Sequence, residues 1–391
     1  MKPCLGSQSS GSFKPRVLGG WHFLIVDKER SNLSERSSPG MLRRLNDERG
    51  FIMKRNGLAG MVGMSALASC IWVLLGNRVA DTPKKETPPE PSEGFIHRSD
   101  LTYDSVNGKP LMLDVVSPES GRGPFPVVIV LHGVGPTNKG RQGCLPWAKE
   151  LARKGYAGVA VSYRCKPEDA FPAPIQDIRS AIHWLHVHAD QFKIDKNRIG
   201  VVGFSGGGAL ACLLGTAGDP RDRLAGVQAV VSFYGPTDFA RLHEGCLAKT
   251  KTKECPTLEK WQSTLLVQTL EKWFGGPPSK VPERYALASP MSQVVNDSSP
   301  ILLIHGAADT VVPVEQSQLF AKKLQKAGRP VSLLVVEGGG HDFEEKNKTN
   351  GRLAFAAVVA FLDDHLLAVR SGTKTLLSSR KSPRIAFQAR Q

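Results

Sequence analysis

The segment Gly203-Phe204-Ser205-Gly206-Gly207 places a hydroxyl nucleophile between glycines. An apolar run, residues 199–204, precedes the serine, and a helix-favouring stretch, residues 208–214, follows it. A serine on a sharp turn between a strand and a helix has a strained backbone, so the residues two positions away must be nearly free of side chain. The pattern therefore predicts that Ser205 is a nucleophile for acyl transfer. The alternative is that this serine only caps a helix.

Acyl transfer also needs a base for the serine proton and an acid that orients the base. His341 follows an apolar run at 331–336 and a glycine-rich stretch, and we expect it to be the base. Asp309 follows the run 301–305 and is the first candidate for the acid. Asp238 is its rival, because both aspartates satisfy the chain order nucleophile, acid, histidine. Either aspartate could instead cap backbone amides at a turn.

The developing oxyanion needs hydrogen-bond donors, which in this arrangement are backbone amides. The amide of Gly206, directly after the nucleophile, is the first predicted donor. The second is expected from the turn at residues 132–135, where we assign Val134, with Gly133 as the neighbouring alternative. His132 in the same turn is expected to be a structural residue rather than a base.

The apolar runs alternate with helix-favouring segments along the body of the chain. This repetition indicates an α/β fold with a mainly parallel central sheet and helices on both faces, in which ligands bind beyond the carboxyl ends of the strands. Each candidate catalytic residue follows a predicted strand. The predicted strands are 111–116, 126–131, 156–162, 199–204, 227–233, 301–305 and 331–336, and the predicted helices are 145–154, 175–192, 314–328 and 353–369.

The span from about residue 100 to residue 366 resembles the α/β-hydrolase superfamily. Within it, the chain is similar to the carbohydrate-ester hydrolases called bifunctional deacetylase and feruloyl esterase, which are close to acetyl-xylan esterases. The marks that carry the resemblance are His132-Gly133, Ser162-Tyr163-Arg164, Phe171-Pro172-Ala173, Asp177, the turn at Ser205, Gly235-Pro236-Thr237-Asp238, His305-Gly306 with Asp309, Val312-Pro313 and Gly340-His341. The resemblance implies that Ser205, Asp309 and His341 occupy the catalytic positions, and it favours Asp309 over Asp238.

Two residues depart from the pattern of these relatives. Relatives usually carry His-Gly-Gly-Gly in the oxyanion turn, whereas Val134 replaces the middle glycine here. Gly206 stands where alanine is common. An insertion at 239–286 is expected to form a small cap, whose apolar residues could line an acyl or sugar pocket or only pack the cap on the body: Trp261, Leu265, Leu266, Trp273 and Phe274.

The resemblance implies a serine carboxylesterase that removes short acyl groups, of acetyl or feruloyl type, from a small-molecule or polysaccharide ester, with no cofactor. One alternative is a peptidase of the prolyl-oligopeptidase type, although such peptidases generally carry a propeller domain, which residues 1–94 are too few to supply. The other alternative is a binding protein with a hydrolase fold and no catalysis, which the valine in the oxyanion turn motivates.

The formal net charge of +15 comes mostly from the two ends of the chain. Residues 370–391 hold six basic residues and no acidic one. Because nucleic-acid binding needs basic residues concentrated on a folded surface, we expect no nucleic-acid partner. No metal site is expected either, since His183, His186 and His188 suit an exposed amphipathic helix better than a ligand set.

Residues 57–76 carry no charged side chain and follow Lys54-Arg55, a layout that fits an export signal or a membrane anchor. Translation could start at Met53, which would make residues 1–52 an over-extension of the reading frame. Cleavage, retention as an anchor and lipidation at Cys70 all stay open. Each of these three outcomes places the catalytic domain in a periplasmic or extracellular space.

The predicted organisation has five parts: residues 1–52, disordered or outside the true frame; a signal or anchor at 53–80; a Pro-rich linker at 81–94; the hydrolase domain at 95–369; and a basic disordered tail at 370–391. Disulfides persist in an oxidising compartment, and Cys246 with Cys255 is the best predicted pair.

Overall fold

The fold is seen in a computed structural model that describes residues 94–367, except 135–139, 167–168 and 217–225, and the backbone of Leu24–Ile25. Apart from Leu24–Ile25 and Gly94, the predictions for residues 1–52, 53–80, 81–94 and 370–391 fall outside this part of the chain. Across the described ranges, none of the helices is both long and apolar enough to cross a membrane. The predicted span at 57–76 is not among the residues described.

The core of the molecule is one sheet in the order β1-β9-β8-β7-β6-β4-β5-β3-β2. Strands β4 to β9 pair in parallel, and the β2–β3 hairpin joins them antiparallel through β5. The strands are β1 Leu24–Ile25, β2 Phe95–Val106, β3 Lys109–Pro118, β4 Phe125–Leu131, β5 Ala157–Val161, β6 Ile194–Phe204, β7 Ala229–Phe233, β8 Ile301–Gly306 and β9 Val331–Val336. The mainly parallel α/β fold expected from the sequence is thereby confirmed.

Helices cover both faces of the sheet, because successive residues of a central strand point to opposite sides. In β4, Val127 and Ile129 belong to one apolar core, and Val128 and Val130 belong to the core on the other face. The helices are α1 Arg141–Arg153, α2 Ala173–Val187, α3 Ala189–Phe192, α4 Gly206–Thr216, α5 Phe239–Lys251, α6 Thr257–Phe274, α7 Pro282–Ala288, α8 Glu315–Lys326, α9 Phe343–Lys346 and α10 Lys348–Leu362.

Several predicted boundaries shift. The helix predicted to begin at residue 145 is α1, which begins at Arg141. The guanidinium of Arg141 pairs with Asp114 on β3 at 3.2 Å and with Asp100, contacts that the local sequence pattern does not contain. The single helix predicted for 175–192 divides into α2 and α3, since His188 has a non-helical backbone between them.

The predicted cap segment contains α5, α6 and α7, which share an apolar cluster that also includes Ala209 of α4. Trp273 and Phe274 are buried in that cluster and Leu266 packs against it, whereas the side chain of Trp261 is 60% exposed. Trp273 and Phe274 therefore pack the cap, and Trp261 faces solvent.

The predicted disulfide between Cys246 and Cys255 is wrong in this structure, where both residues are free thiols. Cys246 lies on the buried side of α5, within the apolar cluster of the cap, whereas Cys255 lies in the loop between α5 and α6. The sequence separation suggested a closed loop, but the orientation of α5 directs the first thiol into the protein.

Candidate active site

Ser205 lies on the turn between β6 and α4 with a φ of 51°, a left-handed conformation that is strained for a residue with a side chain. The turn is held by a hydrogen bond of 2.9 Å from the Ser205 amide to the carbonyl of Phe233 on the neighbouring strand β7. Gly203 and Gly207, two positions before and after Ser205, allow the end of β6 and the start of α4 to lie very close together. A Cβ on Gly203 would lie 2.1 Å from the carbonyl oxygen of Gly207.

The structure brings Ser205, His341 and Asp309 together in a line. Oγ of Ser205 lies 3.1 Å from Nε2 of His341, and Nδ1 of His341 lies 2.7 Å from Oδ2 of Asp309. Because a carboxylate only accepts, Nδ1 carries the ring proton, and this leaves Nε2 free to accept the proton of the serine. The three residues follow β6, β8 and β9, whose carboxyl ends meet at one edge of the sheet.

Asp309 has a fully buried carboxyl group that accepts hydrogen bonds on both oxygens. Oδ1 accepts the amides of Val311 and Val312, each at 2.9 Å, and Oδ2 faces His341. Burial alone would raise the pKa of this acid. Hydrogen bonds from His305 and His341 outweigh burial and hold the pKa of Asp309 well below its usual range. The group is therefore a carboxylate at neutral pH.

His305 is a second histidine beside Asp309, and it is completely buried. Its Nε2 lies 2.8 Å from the carbonyl of Val312 and 3.3 Å from Oδ2 of Asp309, while its Nδ1 lies 2.8 Å from Oγ of Ser317. Both groups at Nε2 are acceptors, so this nitrogen donates and Nδ1 accepts from the serine. The sequence marked His305 only as part of a motif, and no local signal indicated that it supports the acid.

Asp238, the rival acid, lies elsewhere in the hydrogen-bond network. It is the N-cap of α5, and its carboxylate accepts from the amide of Arg241 at 3.1 Å. This is the capping role expected of an aspartate that precedes a helix. The local geometry thus pairs Asp309, and not Asp238, with His341.

The predicted oxyanion donors lie next to the nucleophile. A Cβ on Gly133 would stand 3.4 Å from Cβ of Ser205, and a Cβ on Gly206 would stand 3.3 Å from the backbone nitrogen of Val134. Gly206 is the first residue of α4, where helix amides have no partner within the helix. Within the described ranges, the amide of Val134 makes no hydrogen bond. Both amides therefore stay the predicted donors for an anionic oxygen.

His132 anchors the oxyanion turn. Its ring stacks on that of Tyr163 at 4.2 Å, with Nδ1 2.8 Å from the Gly133 carbonyl, and the Tyr163 hydroxyl donates to the His132 carbonyl. Burial lowers the pKa of His132, so the ring is neutral at physiological pH. These contacts suit a structural role for this histidine.

Tyr234 and Glu344 form a pair beneath His341 that sequence reasoning missed. The ring of Tyr234 lies 4.5 Å from that of His341, and its hydroxyl donates to the carboxyl group of Glu344. The second oxygen of Glu344 is buried and has no hydrogen-bond partner. Burial raises the pKa of Glu344 to about 7. In the described part of the chain, no group of three His, Cys, Asp or Glu side chains is arranged to hold a metal ion.

Comparisons with known proteins match the chain to esterases. Residues 113–324 match the family model BD-FAE. The chain is 32% identical to Esterase LipC of Mycobacterium tuberculosis over 262 residues, which covers 64% of this chain and 60% of LipC. It is 27% identical to the probable carboxylic ester hydrolase LipM of the same organism over 292 residues, which covers 72% of this chain and 64% of LipM. The chain thus spans less than two thirds of the length of either relative.

A solved structure of the acetyl ester-xyloside bifunctional hydrolase from Caldicellulosiruptor lactoaceticus is also similar. It has 27% sequence identity and a TM-score of 0.50, and the match covers 62% of this chain and 87% of that one. The family model covers more than half of the chain. On this ground, together with the sheet that it shares with these hydrolases, the chain belongs to the BD-FAE family of α/β hydrolases.

Proposed function

We propose that this protein is a serine carboxylesterase that works through an acyl-enzyme intermediate. The observation that carries the proposal is the hydrogen-bonded line from Ser205 Oγ through the His341 imidazole to Asp309, with spacings of 3.1 and 2.7 Å. A buried carboxylate, a partly exposed imidazole and a serine on a strained turn form the arrangement that activates a hydroxyl nucleophile. The esterase names of LipC and LipM support the same reaction class.

In the proposed reaction, Ser205 Oγ attacks the ester carbonyl carbon while its proton passes to Nε2 of His341. The tetrahedral oxyanion receives hydrogen bonds from the amides of Gly206 and Val134. The intermediate then collapses, the C–O bond to the alcohol breaks, and His341 returns the proton to the departing alcohol. Water repeats the attack on the acyl-enzyme, which releases the carboxylic acid and restores Ser205. Asp309 keeps Nδ1 protonated and stabilises the imidazolium in both halves.

For the substrate we propose a short acyl ester, of acetyl or feruloyl type, on a carbohydrate. Two likenesses support this choice: membership of the BD-FAE family and similarity to a solved hydrolase named for acetyl ester and xyloside. A screen of acetylated xylan, methyl ferulate and nitrophenyl esters tests it. Acetate or ferulate release from the carbohydrate or ferulate substrates is expected, and activity on nitrophenyl esters alone would contradict the carbohydrate part.

We further propose that the catalytic domain is exported and held at a membrane by residues 57–76. The uncharged stretch of twenty residues after Lys54-Arg55 supports this location. Fractionation of cells that produce the full chain is the test. The proposal expects the protein in the membrane fraction, with its body open to protease from outside, and a protein found wholly in the cytosol would overturn it.

The catalytic proposal is tested with p-nitrophenyl acetate on the full chain. Ser205→Ala should abolish turnover above background while leaving the folded protein intact by circular dichroism. A fluorophosphonate probe should label the wild type and not the variant. Wild-type turnover by Ser205→Ala would overturn the assignment, as would failure of the probe on folded wild-type protein, which would favour a binding role. Cleavage of dipeptidyl-nitroanilides without ester cleavage would favour a peptidase.

A further inference from the structure

Val134, in the oxyanion turn, and Gly206, directly after the nucleophile, lie side by side. A Cβ on Gly206 would lie 2.7 Å from Cγ2 and 3.0 Å from Cβ of Val134. The first distance is shorter than two carbon atoms tolerate, and the second is tighter than most contacts of a Cβ atom. The isopropyl group of Val134 therefore occupies the space that an alanine methyl at position 206 would need.

Small adjustments do not relieve this contact. The side chain of Val134 is β-branched and stiff about χ1, and rotation about χ1 leaves its Cβ in place. The backbone nitrogen of Val134 lies only 3.3 Å from the same point. A methyl group at position 206 must therefore displace the oxyanion turn at residues 132–135. The amide of Val134, one of the two predicted oxyanion donors, would move with that turn.

Val134 also packs against the apolar cluster that holds the cap. Val134, Phe171 and Leu266 are partly buried and pack against the apolar cluster that α5, α6 and α7 share. The valine thus lies between the turn at the nucleophile and the cap. A carbonyl oxygen held by the amides of Gly206 and Val134 brings the carbon substituent of that carbonyl into the same narrow region.

We propose that Val134 is a specificity-determining residue that limits the size of the acyl group, and that Gly206 is the small partner its side chain requires. This inference rests on the proposed esterase function and deepens it. Because residue 206 is a glycine, the side chain that borders the acyl group at this point is that of Val134 in the oxyanion turn, and not one on the nucleophile turn. The acyl groups that fit beside Val134 are those as short as acetyl, so this inference selects acetyl over feruloyl as the acyl group of the proposed substrate.

The specificity half is tested with p-nitrophenyl acetate, butyrate and octanoate. Val134→Ala and V134G shorten or remove the side chain that borders the acyl group, so the kcat/KM ratio of butyrate to acetate should rise about tenfold, the scale set by one or two methylene groups in an apolar pocket. Val187→Ala, an exposed valine at the end of α2, is the matched control and should keep the wild-type ratio. An unchanged ratio in both Val134 variants would overturn this half.

The packing half is tested with Gly206→Ala, V134G and their combination. Gly206→Ala alone should lower kcat/KM by at least about tenfold, because a shift of the turn misplaces an oxyanion donor. The double variant should recover most of that loss. A double variant no better than Gly206→Ala would overturn the pairing.

Urea unfolding of the same four proteins separates this inference from the proposed function, since it needs no substrate. Gly206→Ala should lower the unfolding midpoint more in the wild-type background than in the V134G background, as expected for residues in contact. If Ser205→Ala retained activity, the esterase proposal would fail while the unfolding cycle still reported on the pair. Equal shifts of the unfolding midpoint by Gly206→Ala in the two backgrounds would overturn the proposed contact between residues 134 and 206, whatever the esterase activity of the variants.

Discussion

Tyr234 donates a hydrogen bond to Glu344 while its ring supports the imidazole of His341, with ring centroids 4.5 Å apart. Tyr234 follows directly after Phe233, whose carbonyl accepts the Ser205 amide, and its own amide donates to the carbonyl of Ile304 at 2.8 Å. Glu344 belongs to the short helix α9 that follows His341. The pair thus connects the turn of the histidine to the strands that carry the nucleophile and lead to the acid.

Tyr234→Phe keeps the ring and removes only the hydroxyl group. We expect kcat for p-nitrophenyl acetate to fall by about fivefold, the equivalent of one hydrogen bond of about 1 kcal/mol, with KM unchanged because substrate contacts stay. Tyr156→Phe is the matched control. Its hydroxyl also donates to a carboxylate, that of the partly buried Asp363 at 2.5 Å, but Tyr156 lies directly before β5, at the opposite edge of the sheet. Equal effects of the two variants on kcat would contradict the positioning role.

Glu344→Gln should change how stability depends on pH. Burial raises the pKa of Glu344 to about 7 from 4.5, and the nearby charges of Asp342 and Glu345 act in the same direction. Between these pH values the folded protein holds a proton that the unfolded chain has released, so the free energy of unfolding falls as pH rises from about 4.5 to 7 and stays lower above. Glutamine is neutral at every pH, so the variant does not lose this part of its free energy of unfolding as pH rises.

Urea unfolding at pH 5 and pH 8 measures the effect. Relative to wild type, the variant Glu344→Gln should gain about 2.5 kcal/mol between the two pH values, because one pKa unit corresponds to about 1.4 kcal/mol. Glu283→Gln removes the same charge from an exposed position in the first turn of α7 and is the control, because Glu283 is not among the charges that raise the pKa of Glu344. A parallel pH dependence of Glu344→Gln and wild type would show that Glu344 is ionised in the folded protein.

Asp309→Asn and Asp238→Asn distinguish the two candidate acids. Asp309→Asn removes the acceptor of the His341 Nδ1 proton, and kcat should fall by about 10³- to 10⁴-fold, as expected when the base takes the wrong tautomer. Asp238→Asn should leave kcat within about twofold, because asparagine caps a helix nearly as well as aspartate. The measurement is kcat for p-nitrophenyl acetate at pH 7.5, and thermal unfolding of both variants checks that they are folded. A large loss in the Asp238 variant with Asp309→Asn active would reverse the assignment.

Much of the fold could be predicted because its signals are local. The run at 125–131 is apolar at every position, which is typical of a parallel strand covered on both faces. The candidate nucleophile, acid and base each follow such a run, and parallel strands present their carboxyl ends at one edge. For these reasons the residues alone predicted Ser205 and His341 and left two candidate acids, between which the family resemblance favoured Asp309. The structure places Ser205, His341 and Asp309 in hydrogen-bond contact.

What escaped prediction depends on pairs that are far apart in the chain. Tyr234 and Glu344 are separated by 110 positions, and neither lies in a pattern that points to the other. The start of α1 depends on Arg141 reaching Asp114 in another strand. Cys246 and Cys255 are close in sequence, but the buried face of α5 decides where the first thiol points. Tertiary contacts determine all three features, so no local pattern could supply them.

Gly207→Ala tests the close packing that exposes the nucleophile. A Cβ at this position would lie 2.3 Å from the carbonyl oxygen of His132 and 2.6 Å from that of Leu131, and both are backbone atoms that cannot rotate away. Strand β4 would have to separate from the start of α4. We expect a loss of about 3 kcal/mol or more in unfolding free energy, at the upper end of the cost of overpacking, or no folded protein.

Gly245→Ala is the matched control, since Gly245 lies within α5 and a Cβ there meets no atom within 4 Å. This variant should be more stable than wild type by about 0.5 to 1 kcal/mol, because alanine loses less backbone entropy than glycine in a helix. Urea unfolding of both variants compares the two effects of adding one methyl group. A folded Gly207→Ala protein of wild-type stability would mean that β4 and α4 are not in the contact described, and the geometry derived for the oxyanion turn would fall with it.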